Sequence, residues 1–322
     1  MTAAVELIDA AAYTQPPESA ARLFWIRFKE DKAALIAMVV IGILVVIAII
    51  GGPLAAHYTG HPQNAVYTSA TNDFGVPLGP RFHSPDGSAI FGWDPAGRDL
   101  FVRTMYGARI SLIVGLAATG IAVFVGLVVG LIAGYFGGWT DTILSRLSDV
   151  MLAVPVFIIA IGIVVACGAS VNGCLGGIVQ PGISVVIFVI ALFSWPYVGR
   201  IVRGFTLSLR EREFVEASRS LGASDFRIIR KEILPNLVGP IVVYSTLLIP
   251  ANILFEAALS YLGLGVPVDQ ASWGSLLGDA ALYYNVAWWL MVFPGLFLVI
   301  TTLSFNLLGD GLRDALDVRA DR

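Results

Sequence analysis

Residues 110–136 of the chain read ISLIVGLAATGIAVFVGLVVGLIAGYF and contain no Asp, Glu, Lys, Arg or His. A helix rises about 1.5 Å per residue, so about 20 apolar residues cross the roughly 30 Å hydrocarbon core of a bilayer. The stretch 33–50 is equally free of charged residues. Both stretches therefore indicate helices that cross a membrane.

The composition of the whole chain agrees with this interpretation. The 322 residues are 57% hydrophobic and only 13% charged, whereas soluble proteins carry about 25% charged residues. This composition excludes a disordered chain, a coiled coil and a small secreted disulfide scaffold. The formal net charge of −3 gives no basic surface for nucleic acid. We predict an all-α polytopic membrane protein that binds no nucleic acid.

The apolar blocks predict six transmembrane helices. We place them at 33–56, 110–136, 150–167, 182–198, 237–259 and 287–308. The fourth block is the weakest, because Gly182 and Pro196 flank a short apolar run. It could form a re-entrant segment instead of a complete span.

The distribution of Lys and Arg predicts the orientation of these spans. With six spans, sixteen of the 20 basic residues lie on the side that holds both chain ends. Positive residues concentrate on the cytoplasmic side. We therefore expect a cytoplasmic tail at 1–32, an external loop at 57–109, a cytoplasmic loop at 199–235 and a cytoplasmic tail at 309–322. Residues 110–308 would form the core that holds the other five spans.

The N-terminal region carries two further predictions. Residues 21–32 (ARLFWIRFKEDK) mix aromatic and basic side chains, which is typical of a helix lying in the membrane interface. A simpler alternative is a basic flank to the first span. The first 21 residues contain three acidic residues and no Lys or Arg, which is wrong for a cleavable signal. We expect the first span to be a retained signal anchor.

Several chemistries lack the residues they need. None of the three Lys residues follows a Gly, so a P-loop cannot form and any ATP must be bound by another subunit. The His residues all fall in the predicted external loop, so no span supplies a His as general base or zinc ligand. These three are His57, His61 and His83. We predict no metal site and no enzyme active site.

Two isolated features leave alternatives open. Cys167 and Cys174 flank a Gly-rich connection on the predicted external side, where a disulfide can persist; they could equally be small apolar residues packed at a helix end. Glu256 is the one acidic residue within a predicted span, near its outer end. Intramembrane carboxylates mark functional sites by default, so Glu256 could line a substrate path. Snorkelling or a hydrogen bond at the helix end would also explain it.

The cytoplasmic loop 199–235 is much longer than a helix connection requires. Its apolar residues recur at mostly helical intervals among Arg and Glu, Gly222 interrupts the pattern, and Pro235 ends it before the fifth span. This pattern predicts short amphipathic helices bent at a glycine. Small side chains at Ala217 and Ser218 would let such a helix seat closely in a partner's groove.

Glu216-Ala217-Ser218, followed by Gly222 and by Ile233-Leu234-Pro235, resembles the EAA motif of ATP-binding-cassette importer permeases. Ser218 stands where this family usually has Ala, and Glu232 where an apolar residue is common. The resemblance implies that the loop forms a coupling helix that docks on an ATPase subunit. It assigns the ATPase contact to six residues: Arg212, Glu216, Ala217, Ser218, Arg219 and Gly222.

Other segments resemble the C-type subunit of the dipeptide, oligopeptide and nickel permeases. They include Asp94-Pro95-Ala96-Gly97-Arg98-Asp99, the run 259–265 (LSYLGLG), Ser272-Trp273-Gly274, and the run 305–314 (FNLLGDGLRD). Phe91-Gly92-Trp93 and the insert 60–90 depart from the family pattern. The resemblance implies a type I ABC importer transmembrane domain of the MetI-like kind, in the bacterial plasma membrane.

The same resemblance implies the partners: a second homologous permease, two ATP-binding subunits and an extracellular solute-binding protein, besides membrane lipid. ATP and Mg would be bound by the partners, with no cofactor in this chain. The cargo could be dipeptides, oligopeptides, nickel or another small solute. A self-contained secondary transporter or channel is a further alternative, and it would need more intramembrane polar groups than Glu256.

Overall fold

The computed structural model of the protein describes residues 20–67, 72–74, 84–87, 89–169, 173–267 and 269–316. The terminal tails before residue 20 and after residue 316, His83 and much of the 60–90 insert lie outside the described residues. The described part contains α-helices and isolated β-bridges but no strand. The helices are α1 Ala20–Glu30, α2 Lys32–Thr59, α3 Leu100–Phe136, α4 Gly138–Ala153, α5 Val156–Ala169, α6 Ile183–Arg210, α7 Glu213–Ser220, α8 Asp225–Tyr261, α9 Trp273–Ala280 and α10 Trp289–Leu316.

Five helices are long and apolar enough to cross a membrane: α2, α3, α6, α8 and α10. A sixth crossing is available if α4 and α5, which meet at an angle of 87°, count as one bent span. The prediction of an all-helical, multi-span protein is thus confirmed.

The predicted third span, 150–167, is not a continuous helix. Residues 150–153 end α4, and α5 starts only at Val156. The helix breaks at Pro155, because proline has no backbone N–H to donate and disfavours a helical conformation in the residue before it. With 14 residues, α5 is shorter than the roughly 20 residues that a straight span needs.

The fourth span, which the sequence marks as weakest, is instead part of a 28-residue helix. The predicted end at 198 is wrong because Arg200 and Arg203 follow it in the sequence and stop the hydropathy signal. The structure pairs them with α4: Arg203 binds both carboxylate oxygens of Asp141, and Arg200 Nη2 lies 2.6 Å from Asp149 Oδ1. The helix continues past the apolar region because its charges are paired.

Helices α3 and α6 approach closely along a face of glycines, and this pairing forms the centre of the fold. A Cβ atom on Gly130 would lie 2.6 Å from the carbonyl oxygen of Gly199 and 2.7 Å from Cβ of Val202. Gly126 and Gly134, one turn on either side, are equally close to α6. Only a residue without a side chain permits this separation, so α3 and α6 form one tightly packed unit.

Residues 21–32, which the sequence predicts as an interfacial helix, contain most of α1 and the first residue of α2. The Asp31 side chain separates the two helices by accepting hydrogen bonds from Ala33 and Ala34 at the start of α2. Phe28 is buried against Ala315 of α10. The contact of α1 with lipid remains a prediction.

Candidate coupling site

The predicted motif lies on α7, a short helix between α6 and α8. Two residues, Glu211 and Arg212, separate α7 from the end of α6. Val215 is fully buried in a cluster to which α3, α6 and α8 contribute Leu131, Val202, Ile233 and others. One inserted side chain therefore fixes α7 against three long helices while the rest of α7 stays accessible.

Gly222 ends α7 as the sequence predicts. Its φ of +80° lies in the left-handed region, where residues with a side chain are strained. The Ala223 N–H donates to the Ser218 carbonyl at 3.1 Å and the Gly222 N–H to the Arg219 carbonyl at 3.0 Å. These two bonds form a Schellman motif that satisfies the last carbonyls of the helix.

The predicted ATPase contacts lie within eleven residues of chain, and their exposure differs. Arg212, Glu216, Ala217, Arg219 and Gly222 are exposed, and Ser218 is half-buried. Glu216 and Ala217 therefore lie on the exposed side of α7, whereas Ser218 lies nearer the side of the buried Val215.

Large apolar side chains surround this motif. Leu221 is 88% exposed, Phe226 is 73% exposed, and Phe214 is 40% exposed. The sequence pattern groups these residues with Val215 and Ile233, which are buried, so periodicity alone does not separate the two sets. Together with the motif, the three exposed side chains form a mixed apolar and charged surface suited to a protein partner.

The boundaries of the predicted loop 199–235 require correction. Residues 199–210 belong to α6, and residues 225–235 belong to α8, which passes through a π-helical turn at Ile229–Ile233. Pro235 does not end a helix. It lies in the first turn after the π segment, where a missing N–H is tolerated. The region consists of two extended spans joined by α7 and two short turns.

A tyrosine at the end of α3 holds the start of α8. The Tyr135 hydroxyl donates to Asp225 Oδ1 at 2.6 Å, and Arg210 Nη1 donates to the Gly134 carbonyl at 3.1 Å. The segments entering and leaving α7 are thus both anchored to the end of α3. Neither contact is predictable from the sequence, because the partners lie 90 and 76 residues apart.

Replacing Tyr135 with Phe should loosen this anchor. A hydrogen bond to a charged acceptor contributes roughly 1.5–3 kcal/mol, so we expect faster amide hydrogen exchange in residues 213–228 and unchanged protection of α10. Tyr244→Phe is the matched control, since Tyr244 is partly exposed and has no hydrogen bond among the described residues. Equal exchange in both variants would contradict a positioning role for Tyr135.

Glu256 is fully buried at the contact of α3, α8 and α9. Ser111 Oγ donates to Glu256 Oε2 at 3.0 Å and Ser260 Oγ to Oε1 at 2.6 Å. Ser111 in turn accepts from the Trp273 N–H of α9 at 3.3 Å. These contacts agree with the helix-end hydrogen bonds that the sequence left open, and they give Glu256 no exposed surface.

Two features of the predicted external side can be located. Cys167 and Cys174 are bonded, with their sulfur atoms 1.99 Å apart. His61 Nδ1 lies 2.7 Å from Asp99 Oδ2, and its ring lies beside those of Tyr67 and Trp93. Burial and the nearby Asp99 raise the pKa of the Tyr67 phenol above its ordinary value. Within the described residues, no three His, Cys, Asp or Glu side chains converge as metal ligands.

Two stretches of the chain match models of known protein families. Residues 126–322 match the family described as binding-protein-dependent transport system inner membrane component. Residues 19–73 match the N-terminal TM domain of oligopeptide transport permease C.

Curated relatives and a solved structure are similar along most of their length. The dipeptide transport system permease protein DppC of Bacillus subtilis (strain 168) is 37% identical over 98% of this chain and 90% of its own. The oligopeptide transport system permease protein OppC of the same organism is 37% identical over 91% of this chain and 87% of its own. An inward-facing structure of the MetNI methionine ABC transporter superposes with a TM-score of 0.49 at 17% identity, over 65% of this chain and 96% of that chain.

Proposed function

The chain belongs to the family of binding-protein-dependent transport system inner membrane components, and on that premise we propose that it is a permease subunit of an ATP-driven importer of dipeptides or oligopeptides. Relatives that cover nearly its whole length are named as dipeptide and oligopeptide permeases. The observation that carries the proposal is the exposed Glu216-Ala217 face of α7. The buried Val215 side chain packs this helix against α3, α6 and α8.

The proposed complex contains this chain, a second homologous permease, two ATP-binding subunits and an extracellular binding protein. ATP and Mg are bound by the ATP-binding subunits, because this chain has no P-loop. Both chain ends and α7 face the cytoplasm, as the excess of Lys and Arg on that side supports.

In the proposed mechanism, ATP binding draws the two ATPase subunits together and pulls α7 with them. A ligand shifts a conformational equilibrium only if it binds the two states with different affinity. Here that preference reaches the spans because Val215 packs α7 against α3, α6 and α8. The Tyr135–Asp225 hydrogen bond ties the start of α8, which follows α7, to α3. The close packing of α3 on α6 then carries them as one body.

The substrate path is proposed to run between the two permeases along a groove of α5, α6 and α8. This groove has a volume of about 370 Å³ and is lined mainly by apolar and aromatic side chains, including Val156, Phe193, Tyr197 and Phe255. Ser194 and Asn252 provide its polar lining and bond each other at 2.8 Å. Glu256, the sequence-based candidate for this path, does not line the groove.

Purification from a membrane in which the neighbouring genes are co-expressed tests the proposal. We expect a second permease and two ATPase subunits to co-purify with a tagged chain, and a binding protein from the same gene cluster to hold a peptide. A lone or homo-oligomeric chain that moves solute without ATPase would instead favour a secondary transporter. A binding protein that holds nickel instead of a peptide would show that the cargo is nickel.

A further inference from the structure

Large side chains stand exposed on the turn between α9 and α10, at the end of the molecule opposite α7. Their exposed fractions are 83%, 56%, 51% and 55% for Leu282, Tyr284, Val286 and Trp288, and we call these four residues the aromatic patch. Asn285, between them, is also exposed and carries no charge. The patch belongs neither to the coupling site nor to the groove of the proposed substrate path.

Backbone hydrogen bonds fix the shape of this turn. The Tyr283 N–H donates to the Ala280 carbonyl at 2.9 Å, and the Ala287 N–H donates to the Tyr283 carbonyl at 2.8 Å. Ala287 and Trp289 are buried in one cluster with Leu276 of α9, and Tyr283 packs against that cluster. The aromatic patch is therefore a preformed surface, held in place by the core beneath it.

The length of α10 places the turn at a border of the hydrocarbon core. Residues 280–309 contain no Asp, Glu, Lys, Arg or His. Because a helix rises about 1.5 Å per residue, residues 289–310 of α10 extend about 32 Å. The hydrocarbon core is roughly 30 Å thick. With the exposed Asp310 at one border, Trp288 and the rest of the turn stand at the other.

The contact of α10 with α2 supports this position for Asp310. A Cβ atom on Gly311 would lie 2.3 Å from Cβ of Ala34. The charge-free run of α2 begins directly after Lys32. Both helices thus leave the apolar region at the same level, although their charged residues are far apart in sequence.

The aromatic patch continues an apolar stripe along α10. After Trp288, exposed apolar residues recur every three or four positions, at Val292, Leu296, Val299 and Leu303. This spacing puts them on one face of the helix. None of them lines the groove of α5, α6 and α8. Lipid tails are as apolar as leucine, so a face of this kind along a span is covered by lipid chains.

We propose that the aromatic patch binds the lipid surface of the leaflet at the start of α10. Leu282 and Val286 contact acyl chains there, while the Tyr284 hydroxyl and the Trp288 indole N–H donate to lipid ester oxygens. Tyr and Trp concentrate at this level of a bilayer because each has an apolar ring and a polar tip. This assignment requires only that α10 crosses the membrane, and it is independent of the cargo, the orientation and the ATPase.

Spin labelling of the reconstituted protein, together with the subunits that co-purify with it, tests the proposal. The two cysteines of the chain are bonded to each other, so a nitroxide attaches only to an introduced cysteine when the partners carry none. Leu282→Cys and Tyr284→Cys report on the patch. Val299→Cys, on the exposed stripe of α10, is the hydrocarbon reference. Gly87→Cys is the water reference, because Gly87 is exposed and an added Cβ meets no atom within 4 Å.

Each label is measured in liposomes of phosphatidylethanolamine and phosphatidylglycerol for its collisions with oxygen, which concentrates in lipid, and with a nickel chelate, which stays in water. We expect the ratio of oxygen to nickel collisions at Leu282→Cys and Tyr284→Cys to be severalfold above that at Gly87→Cys. It should stay below the ratio at Val299→Cys, because the patch lies at the border of the core. Adding the binding protein should change neither patch ratio.

A ratio at the patch equal to that at Gly87→Cys would overturn the proposal, because the turn would then stand in water. Protection of the patch labels from both reagents, before or after the binding protein is added, would also overturn it, since a protein would then cover the patch. Size-exclusion chromatography confirms that each labelled variant is folded. The two patch positions are labelled separately, so either one decides the question if the other variant misfolds.

Discussion

Replacing Gly222 with proline should abolish ATP-driven uptake while the chain still inserts and assembles. Proline fixes φ near −65°, whereas Gly222 has a φ of +80°. The variant also loses the Gly222 N–H that bonds the Arg219 carbonyl. The local cost is about 3 kcal/mol or more, and it reorients the end of α7 relative to α8. ATP hydrolysis by the reconstituted complex should continue without peptide accumulation in proteoliposomes.

Glu216→Lys tests the same surface without changing the backbone. Glu216 is exposed on α7, so its replacement costs the isolated chain little stability. Reversing its charge should prevent correct seating of the ATPase and reduce coupled uptake by at least about tenfold, since like charges at an interface cost several kcal/mol. Gly204→Ala is the control for glycine substitution, because an added Cβ there meets no atom within 4 Å. Normal uptake by both Gly222→Pro and Glu216→Lys would refute the coupling assignment.

Gly130→Leu should prevent the protein from folding. A Cβ on this residue would already lie 2.6 Å from a backbone oxygen of α6, and backbone atoms cannot move aside as a flexible side chain can. Overpacking typically costs 1–3 kcal/mol, and with the backbone of α6 as the obstacle we expect more than about 3 kcal/mol. The expected readout is loss of the monodisperse peak in detergent chromatography.

Gly120→Leu on the same helix is the matched control. No atom lies within 4 Å of an added Cβ at Gly120, and the residue is exposed. This variant should be recovered in wild-type yield with a thermal midpoint close to that of wild type. Equal recovery of the two leucine variants would show that the α3–α6 contact is looser than the structure indicates.

The existence of the spans could be predicted because burial in lipid demands long apolar runs, and such runs are local in sequence. The residues at which these helices end could not be predicted, because they depend on contacts between distant parts of the chain. The end of α6 lies beyond its hydrophobic block because Arg200 and Arg203 find carboxylate partners on α4. The break at Pro155 was hidden by the apolar residues on both sides, which continue the hydropathy signal across the bend.

Some features of the candidate coupling site could likewise be predicted from the sequence, and others could not. Gly222 was predictable because a helix end in the left-handed region has a strong residue preference. The contacts that fix the site were not, since Tyr135–Asp225 and Ser111–Glu256 join residues far apart in the chain. The exposure of Leu221 and Phe226 was also hidden, because periodicity identifies an apolar face but not whether the fold covers it.

Photo-crosslinking from α7 in native membranes tests the central claim most directly. A photoreactive amino acid at Ala217, which is exposed beside Glu216, should form an adduct with the ATPase subunit whose yield changes when ATP is added. The same probe at Leu282, which is 83% exposed just beyond α9 at the opposite end, should form none. An ATPase adduct at Leu282, or its absence at Ala217 in an assembled complex, would contradict the assignment of α7 as the coupling helix.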